Sequence, residues 1–499
     1  MSTPIEELEK ARYFEEIGEY TQCIPMLECL TKQHPSEDKI GIATRIELAR
    51  SRILSGDMTY IQNDLEQLRS QVKKIKDIEI NLRFNELVIQ TLIATGKSNA
   101  ALEMAKKTSS LAEKGDYHLI WLQLHLLMGN CYFALDDLDK ALDCYQSVID
   151  THTEVEAPLL RAKALTNTGN YYKAKGNNSE TIAYYEKARK LFSEGGHIRG
   201  MLWIQNSMAD SLNAMGRYDE ALVEAKQVAD IAREKQMMDL LAWALVVKSF
   251  VEQNLLDYES MLETALESKR VHEEAELFGY EYVETLSVLA EAYLYLDQIE
   301  KASEILHQAF EFHSKTESPI PFQLLILNVK SKTGDGKNES LERLYDEIVR
   351  RSDERLDELY PALVFLLEQY LKVYQVTEEE ILLQRIQTGI DRLAKMLEES
   401  DRSDWQLEGM IINILSDWVK GNTNRTESRL ERVVSLSKKK GFIPIAVRAN
   451  KFLTRYQSFV KARTMYEKVG SAEGERPRSI SSDELVTYLT KIGDLYGLD

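Results

Sequence analysis

Two stretches of the sequence repeat one pattern, MGNCYFALDDLDKALDCYQSV (residues 128–148) and TGNYYKAKGNNSETIAYYEKA (residues 168–188). Each carries a glycine (Gly129 or Gly169), a tyrosine three residues later and a second tyrosine sixteen residues after the glycine, and the copies are 40 residues apart. A pattern that recurs at this interval predicts a repeat architecture, in which each repeat packs on its neighbours. In each copy two apolar-periodic segments of helical length flank a polar turn, which predicts a helical hairpin.

The glycine position continues in both directions along the chain. Where two antiparallel helices cross closely, a small residue lets the backbones approach, and such positions recur at intervals of 38 to 41 residues. The crossing positions are Ala11, Ala49, Ile89, Gly129, Gly169, Ala209, Ser249 and Ala290. The partner position twelve residues later is Ala or Cys in five of the eight repeats, and the pattern is weakest at Ile61 and Met261. We therefore predict an all-α fold with eight regular hairpins.

These residues resemble the tetratricopeptide (TPR) family, whose signature is W-x2-L-G-x2-Y followed by Ala, an aromatic residue and Ala. Met-Gly-x-x-Tyr at 128–132 and Gly-x-x-Tyr at 169–172 match it, although His125 and Leu165 stand in place of the family's Trp. The resemblance implies a right-handed superhelical solenoid of helical hairpins. Because the repeat exceeds the usual length of about 34 residues, it is similar to the long-repeat branch found in kinesin light chains, LGN/Pins adaptors, Rap regulators and MalT-like sensors.

The pattern predicts four segments. Residues 1–317 hold the eight regular repeats, and 318–469 hold degenerate repeats, the first of them around Val329 with a turn at 334–336, and then capping helices. Residues 470–480 contain Gly, Pro and polar residues and are predicted to form a linker. Residues 481–499 have an apolar stripe at helical spacing, which predicts a tethered amphipathic helix. This helix either docks on the last repeats or enters a groove of this chain or of another protein.

The composition excludes several classes of protein. Hydrophobic residues make up 44% of the 499 residues, and the formal net charge is −19. This charge disfavours direct nucleic-acid or membrane binding as the main function. The N-terminus has neither the basic nor the apolar segment of a secretory signal, no uninterrupted apolar stretch is long enough to span a membrane, and the four cysteines form no C-x-x-C pair. We therefore expect a cytoplasmic protein with reduced thiols.

The sequence displays no catalytic motif. It has no His-Glu-x-x-His, no G-x-S-x-G, no Gly-rich phosphate loop and no G-x-G-x-x-G. His118 and His125 lie seven residues apart, but no Cys, Asp or Glu at ligand spacing completes that face, so we interpret them as structural. The sequence thus predicts a non-enzymatic protein without a catalytic residue, cofactor or metal.

The inner faces of the first helices are the predicted binding groove, because the family resemblance implies that these faces line the concave surface. An asparagine recurs at equivalent positions of two repeats, and its amide can both donate to and accept from a peptide backbone. Lys163 and Lys173 add positive charge suited to an acidic ligand group, and Trp203 and Trp243 are candidate apolar anchors. The predicted groove residues are Gln123, Asn130, Phe133, Lys163, Thr166, Asn167, Asn170, Lys173, Trp203, Asn206, Asp210, Asn213, Trp243 and Phe250.

The favoured hypothesis is a scaffold or adaptor that binds a peptide or helical segment of a partner protein in this groove. The alternative is a signal-sensing regulator, similar to Rap or MalT-like proteins, in which a small ligand or signal peptide changes the pitch of the superhelix and controls an effector. The sequence leaves open whether the chain self-associates and whether its C-terminal helix docks in cis or in trans.

Overall fold

The structure is a computed structural model that describes residues 3–16, 18–34, 38–55, 61–151, 157–314, 320–351, 356–398, 400 and 402–472. These residues form 23 α-helices and no strand, which confirms the predicted all-α fold class. None of the helices in the described ranges is both long enough and apolar enough to cross a membrane.

The first sixteen helices form eight consecutive hairpins, and each predicted crossing position lies on the first helix of one pair. The helices are α1 Pro4–Glu16, α2 Tyr20–Gln33, α3 Lys39–Ser55, α4 Ile61–Ile75, α5 Ile78–Ala94, α6 Ser98–Lys114, α7 His118–Ala134, α8 Leu138–Asp150, α9 Pro158–Ala174, α10 Asn178–Glu194, α11 Ile198–Ala214, α12 Tyr218–Glu234, α13 Met238–Asn254, α14 Tyr258–Glu274, α15 Tyr280–Tyr295 and α16 Ile299–His313.

Seven further helices follow. They are α17 Phe322–Lys330, α18 Gly334–Arg350, α19 Leu356–Thr377, α20 Glu380–Glu398, α21 Ser403–Val419, α22 Thr426–Lys439 and α23 Ile443–Ala472. The helices divide into two compact units. The first unit comprises Met1–Ala174 and Ser179–Met208, and the second comprises Lys175–Asn178 and Ala209–Asp499.

The hairpins form because small side chains meet at their crossings. Ala11, Ala209 and Ala290 have no exposed surface, and neither do their partner positions Cys23 and Ala221. Close packing of this kind lets the apolar residues around each crossing bury the seam between the two helices.

The turn inside each hairpin needs one residue with positive φ to end the first helix. Gly216 supplies it with φ +78°. In hairpins without a glycine, Asp136 and Leu256 adopt the same conformation with φ +60° and +63°. The positive-φ turn is therefore present also in hairpins that have no glycine at this position.

A buried ion network joins the first three hairpins of the first unit. The Arg50 guanidinium on α3 lies 2.6 Å from Glu15 Oε1 and 2.8 Å from Glu47 Oε2, and 3.6 Å from Glu86 Oε1 on α5. Arg12 on α1 lies 2.8 Å from Glu47 Oε1. Several of these side chains occupy positions that correspond to groove positions in later repeats. In the first three hairpins such positions are used for internal contacts.

His197 caps α11 in the first unit. The backbone N–H of Gly200 donates to His197 Nδ1 at 2.7 Å, so the imidazole acts as the N-cap acceptor. The His197 ring also lies near the turn of the first hairpin, since a Cβ on Gly18 would be 3.3 Å from His197 Cε1 and 2.8 Å from Arg199 Cβ. Burial, together with the charge of Lys163, lowers the pKa of His197 to about 4. The ring is therefore neutral in the folded chain near neutral pH.

This cap predicts a pH-dependent stability. The unfolded chain has a His pKa of about 6.5, so the stabilisation is complete above that pH and is lost as the pH falls towards the folded pKa of about 4. His197→Asn keeps a cap acceptor that does not titrate in this range. We expect its free energy of unfolding, measured by urea denaturation, to fall less between neutral and mildly acidic pH than that of the wild type. His118→Asn, at an exposed site, is the control, and equal slopes for all three proteins would contradict the assignment.

The second unit has a large core formed by α17 to α23. Trp405 is almost fully buried, stacks on Tyr360 with ring centroids 4.3 Å apart, and accepts a 2.5 Å hydrogen bond from the Tyr360 hydroxyl at its backbone carbonyl. Two turns far apart in sequence also meet in this unit. A Cβ on Gly441, between α22 and α23, would lie 2.7 Å from the backbone oxygen of Gly216, between α11 and α12. The two backbones therefore touch.

The structure differs from two of the sequence predictions. The predicted turn at 334–336 is wrong, because α18 begins at Gly334 and the break precedes it at Ser331 to Thr333. The predicted linker starts too early, because α23 continues through Gly470 to Ala472, where no proline interrupts it. The rest of the predicted linker and the predicted amphipathic helix of 481–499 lie outside the described residues.

Candidate functional site

The predicted groove residues lie on α7, α9, α11 and α13, which are first helices of consecutive hairpins. Those from Gln123 to Asn206 belong to the first unit, and Asp210, Asn213, Trp243 and Phe250 belong to the second. Trp203 is 45% exposed, whereas Asn206 is fully buried. Thr166 is also buried. The remaining predicted residues of the first unit are half-buried; they are Gln123, Asn130, Phe133, Lys163, Asn167, Asn170 and Lys173.

Asn130 and Asn170 occupy the same place in two neighbouring hairpins. The Tyr145 hydroxyl on α8 donates to Asn130 Oδ1 at 3.1 Å, and the Tyr185 hydroxyl on α10 donates to Asn170 Oδ1 at 2.5 Å. The Asn167 amide also donates to Asn130 Oδ1, at 2.7 Å. Each asparagine is thus held by a tyrosine of the second helix of its own hairpin.

The glycine before each asparagine makes this arrangement sterically feasible. A Cβ on Gly129 would lie 2.3 Å from Tyr145 Cε1, and a Cβ on Gly169 would lie 2.4 Å from Tyr185 Cε1. The tyrosine ring therefore packs directly on the glycine backbone, which brings its hydroxyl to the next residue. The Gly-Asn pair and the tyrosine sixteen residues after the glycine act together in both repeats.

The hydrogen bonds occupy the oxygens of these two amides and leave their N–H groups available. Burial raises the pKa of Tyr145, so its hydroxyl stays protonated and donates. The oxygen of each asparagine is occupied, while the Nδ2 groups of Asn130 and Asn170 make no hydrogen bond to any residue that the structure describes. Two N–H donor groups therefore remain for acceptors such as backbone carbonyls or carboxylates.

Other predicted positions serve the packing. The Thr166 hydroxyl donates to the Ala162 carbonyl of its own helix at 2.8 Å. Asn206 is buried, and neither of its amide atoms finds a partner among the described residues. The first unit therefore brings together Asn130, Asn167 and Asn170, but it keeps Thr166 and Asn206 away from solvent.

The four predicted positions in the second unit are less accessible than the sequence suggested. Asn213 is 9% exposed and accepts a hydrogen bond from the Asn254 amide at 2.9 Å. Trp243 packs against the core formed by Ala209, Ala225 and Val247. Phe250 packs against a neighbouring apolar cluster, and Asp210 is half-buried. The two aromatic residues are therefore partly core residues.

Tyr145 and Tyr185 belong to the repeat pattern but are not among the predicted groove residues. Their hydroxyls orient the asparagines, which the sequence could have indicated through the fixed interval of fifteen residues between Asn and Tyr in both copies. Within the described ranges, no group of three or more His, Cys, Asp or Glu side chains is placed to hold a metal ion.

Comparison with known proteins agrees with this architecture. Residues 122–194 match the family model of the tetratricopeptide repeat. Tetratricopeptide repeat protein 29 of Macaca fascicularis is 21% identical over 160 residues, which are 32% of this chain and 34% of that protein. The chain therefore spans about a third of the length of the curated relative that it matches.

Two solved structures share the fold. A Rap protein complexed with Competence and Sporulation Factor is 15% identical, with a TM-score of 0.52 over 72% of this chain and 100% of the other. The apo form of RapI is 12% identical, with a TM-score of 0.50 over 72% of this chain and 98% of the other. Together with the hairpins described above, these comparisons show that residues 122–194 match the tetratricopeptide repeat model and that the chain has a TPR-like helical-repeat fold.

Proposed function

We propose that the chain is a non-enzymatic scaffold or adaptor that binds a peptide or helical segment of a partner protein on the inner faces of its first helices. One observation carries this proposal. Asn130 and Asn170 stand one repeat apart, each with its oxygen tied to a tyrosine and its N–H groups unused among the described residues. Because these donors are already held in place, little conformational entropy is lost when a ligand binds them.

The proposed ligand chemistry is that of a hydrogen-bond acceptor. Carbonyl oxygens recur along an extended peptide and at the end of a helix, so paired amide donors recognise the backbone and leave side-chain specificity to neighbouring groups. Trp203 is exposed on the next first helix of the same unit and suits an apolar side chain of the ligand. Lys163 and Lys173, on the same helix as Asn170, favour a ligand with net negative charge.

The double variant Asn130→Asp/Asn170→Asp tests the donors. A carboxylate still accepts the tyrosine hydroxyl, but it has no N–H to give and repels a carbonyl or carboxylate of the ligand. We expect partner affinity to fall by about 1.5 kcal/mol, roughly tenfold. The measurement is capture of binding proteins from native extract by the full chain, followed by titration of the captured partner.

The matched control is Asn63→Asp/Asn99→Asp, which makes the same charge change at exposed positions on second helices. This control should retain the partner. Equal retention by both double variants would place the interaction elsewhere on the chain.

A ligand-sensing regulator is the second candidate. It is favoured by the packing of the first hairpin's turn at Gly18 on the residues His197 and Arg199, because a ligand that changed the pitch of the first unit would have to alter this contact. The Rap protein of similar fold was solved with Competence and Sporulation Factor bound. Small-angle scattering of the free chain and of the captured complex separates the two functions. In the complex a scaffold keeps the dimensions that it has when free, whereas a sensor changes them.

A further inference from the structure

Two stacked tyrosines form an exposed aromatic surface in the second unit. Tyr295, the last residue of α15, lies parallel to Tyr258 of α14, with ring centroids 4.3 Å apart and an angle of 2° between the planes. Tyr258 in turn packs on an apolar cluster of α13, α14 and α15. Tyr295 is nevertheless 41% exposed. One face of its ring is therefore supported from below, and the rest of the side chain is accessible to a ligand.

The hydroxyl of Tyr295 is held by the neighbouring first helix. The Gln253 amide on α13 donates to this hydroxyl at 3.1 Å, and the hydroxyl itself donates to no residue in the described ranges. Surrounding protein raises the pKa of Tyr295 by desolvation, so the hydroxyl stays protonated near neutral pH. It is a positioned donor whose hydrogen is unused.

A charged pair lies beside the same ring. The buried carboxylate of Glu291 on α15 accepts from Lys330 Nζ at 2.9 Å and from Gln323 Nε2 at 2.7 Å, both on α17. The Lys330 ammonium lies 5.8 Å from the ring centroid of Tyr295 and 6.0 Å from that of Phe365 on α19. Burial alone would lower the pKa of Lys330, but Glu291 raises it above the ordinary value. The ammonium is therefore charged, and its charge is balanced by Glu291.

These groups occupy a recurrent position of the repeats. Glu291 and Lys330 each directly follow the crossing position of their helix, as Asn130 and Asn170 do in the first unit. The repeat position that carries amide donors in the first unit thus carries a neutralised ion pair in the second, next to an exposed tyrosine.

The hydrogen-bonding groups that this surface offers are mainly donors. The Tyr295 hydroxyl has its hydrogen unused, and the Lys330 ammonium donates only to Glu291 among the described residues. Both oxygens of Glu291 already accept hydrogen bonds. A peptide N–H placed against this surface would lose its water without gaining an acceptor there, which is costly. Proline has no N–H, keeps its carbonyl acceptor and has an apolar ring that packs on aromatic side chains.

We infer that Tyr295, together with Gln253 and Lys330, forms a binding site for a proline-rich segment of a partner protein in the polyproline II conformation. This conformation has no internal hydrogen bonds, so its carbonyl oxygens are available to the donors of the site. The segment is already extended before binding, so little conformational entropy is lost. Because Glu291 balances Lys330, the site has no net charge and suits an uncharged segment.

This site is independent of the proposed function, since it lies in the second unit and uses an aromatic ring rather than the asparagine amides. The probe is a fluorescein-labelled oligoproline peptide, and binding to the full chain is followed by fluorescence anisotropy. We expect saturable binding that changes little as salt is added, because no net charge is recognised. A labelled peptide of alternating Gly and Ser with the same length should bind much more weakly. Asn130→Asp/Asn170→Asp should bind oligoproline as the wild type does.

The test variant is Tyr295→Leu, which keeps apolar bulk and helix propensity but removes the flat ring and the hydroxyl. The matched control is Tyr13→Leu, since Tyr13 is an exposed tyrosine on α1 of the first unit. We expect Tyr295→Leu to bind oligoproline about tenfold more weakly than the control. Tyr295→Phe keeps the ring and loses only the donor, so its affinity should lie between those of Tyr295→Leu and the wild type. Circular dichroism melts establish that the variants are folded.

Three results would overturn the inference. Equal affinity of Tyr295→Leu and Tyr13→Leu for oligoproline would mean that the stacked ring contributes nothing. Equal binding of the Gly-Ser peptide and oligoproline would remove the preference for proline. Tighter binding of a labelled peptide of alternating Glu and Gly than of oligoproline would show that the surface recognises carboxylates instead.

Discussion

Replacing Arg50 by Met is expected to lower the free energy of unfolding by about 3–5 kcal/mol, the usual cost of removing one partner from a buried ion pair. The Arg50 guanidinium contacts Glu15, Glu47 and Glu86, and all three carboxylates are buried. Burial raises the pKa of Glu86 even with Arg50 present. Without Arg50 the remaining cations, Arg12 and Arg83, face three buried negative charges.

The variant should therefore recover part of its stability at acidic pH. Burial opposes ionisation of Glu47, but Arg50, Arg12 and Arg83 together hold its pKa below the ordinary value. Once Arg50 is removed, burial dominates and the carboxyl pKa values of the folded chain rise above those of the unfolded chain. The resulting destabilisation is present at neutral pH and is relieved as the pH falls and the carboxyls bind protons.

The measurement is urea denaturation at neutral and acidic pH, with hydrogen exchange of α3 and α5 to report on the network itself. Lys107→Met is the control, since Lys107 lies 3.9 Å from Glu103 at an exposed site and such pairs contribute at most about 1 kcal/mol. A loss in Arg50→Met no larger than in Lys107→Met would mean that the buried network contributes nothing to stability.

Gly129→Ala is expected to destabilise the chain by about 2–3 kcal/mol, because inserting a methyl group into a packed contact costs more than the better helix propensity of Ala returns. The new Cβ would lie 2.3 Å and 2.7 Å from two carbons of the Tyr145 ring, closer than atoms can approach. The ring must move, and its hydroxyl then leaves Asn130 Oδ1. We expect this variant to bind the partner more weakly as well as to be less stable.

Thermal melts and urea denaturation measure this effect, and Gly336→Ala is the matched control. A Cβ on Gly336 would meet no atom within 4 Å, and its φ is not in the left-handed region. The double variant Gly129→Ala/Tyr145→Leu should recover part of the lost stability, since a smaller side chain leaves room for the methyl group. If it recovers none, the contact between Gly129 and Tyr145 is not the cause.

The fold could be predicted from the sequence because the repeat interval is visible in the chain itself. Ala11, Ser249 and Ala290 were chosen by spacing alone, and each is fully buried on the first helix of a hairpin. The prediction of a turn at 334–336 was wrong, because a Gly-rich segment is equally compatible with a turn between helices and with the first turn of a helix.

The candidate site was predictable only in part. The equivalence of Asn130 and Asn170 followed from the 40-residue interval, but the hydrogen bonds to Tyr145 and Tyr185 depend on how two helices cross. Spacing could not show that Asn206 is buried, since a shift of a fraction of a helical turn moves a side chain from the inner face into the seam.

The sequence did not reveal the buried ion network of the first unit, for a similar reason. Arg50 meets Glu15 and Glu86 across intervals of about one repeat. Among so many charged residues, sequence distance does not indicate which ones become neighbours.

The contact between Gly216 and Gly441 has a consequence for how the second unit folds. In an ordinary repeat array each element touches only its neighbours, so the array frays from its ends and tolerates the loss or gain of a repeat. Here two turns separated by more than 200 residues share a backbone contact that leaves no room for a side chain. Contacts of such long range slow folding. We therefore expect the second unit to unfold more cooperatively than an array in which each repeat touches only its neighbours.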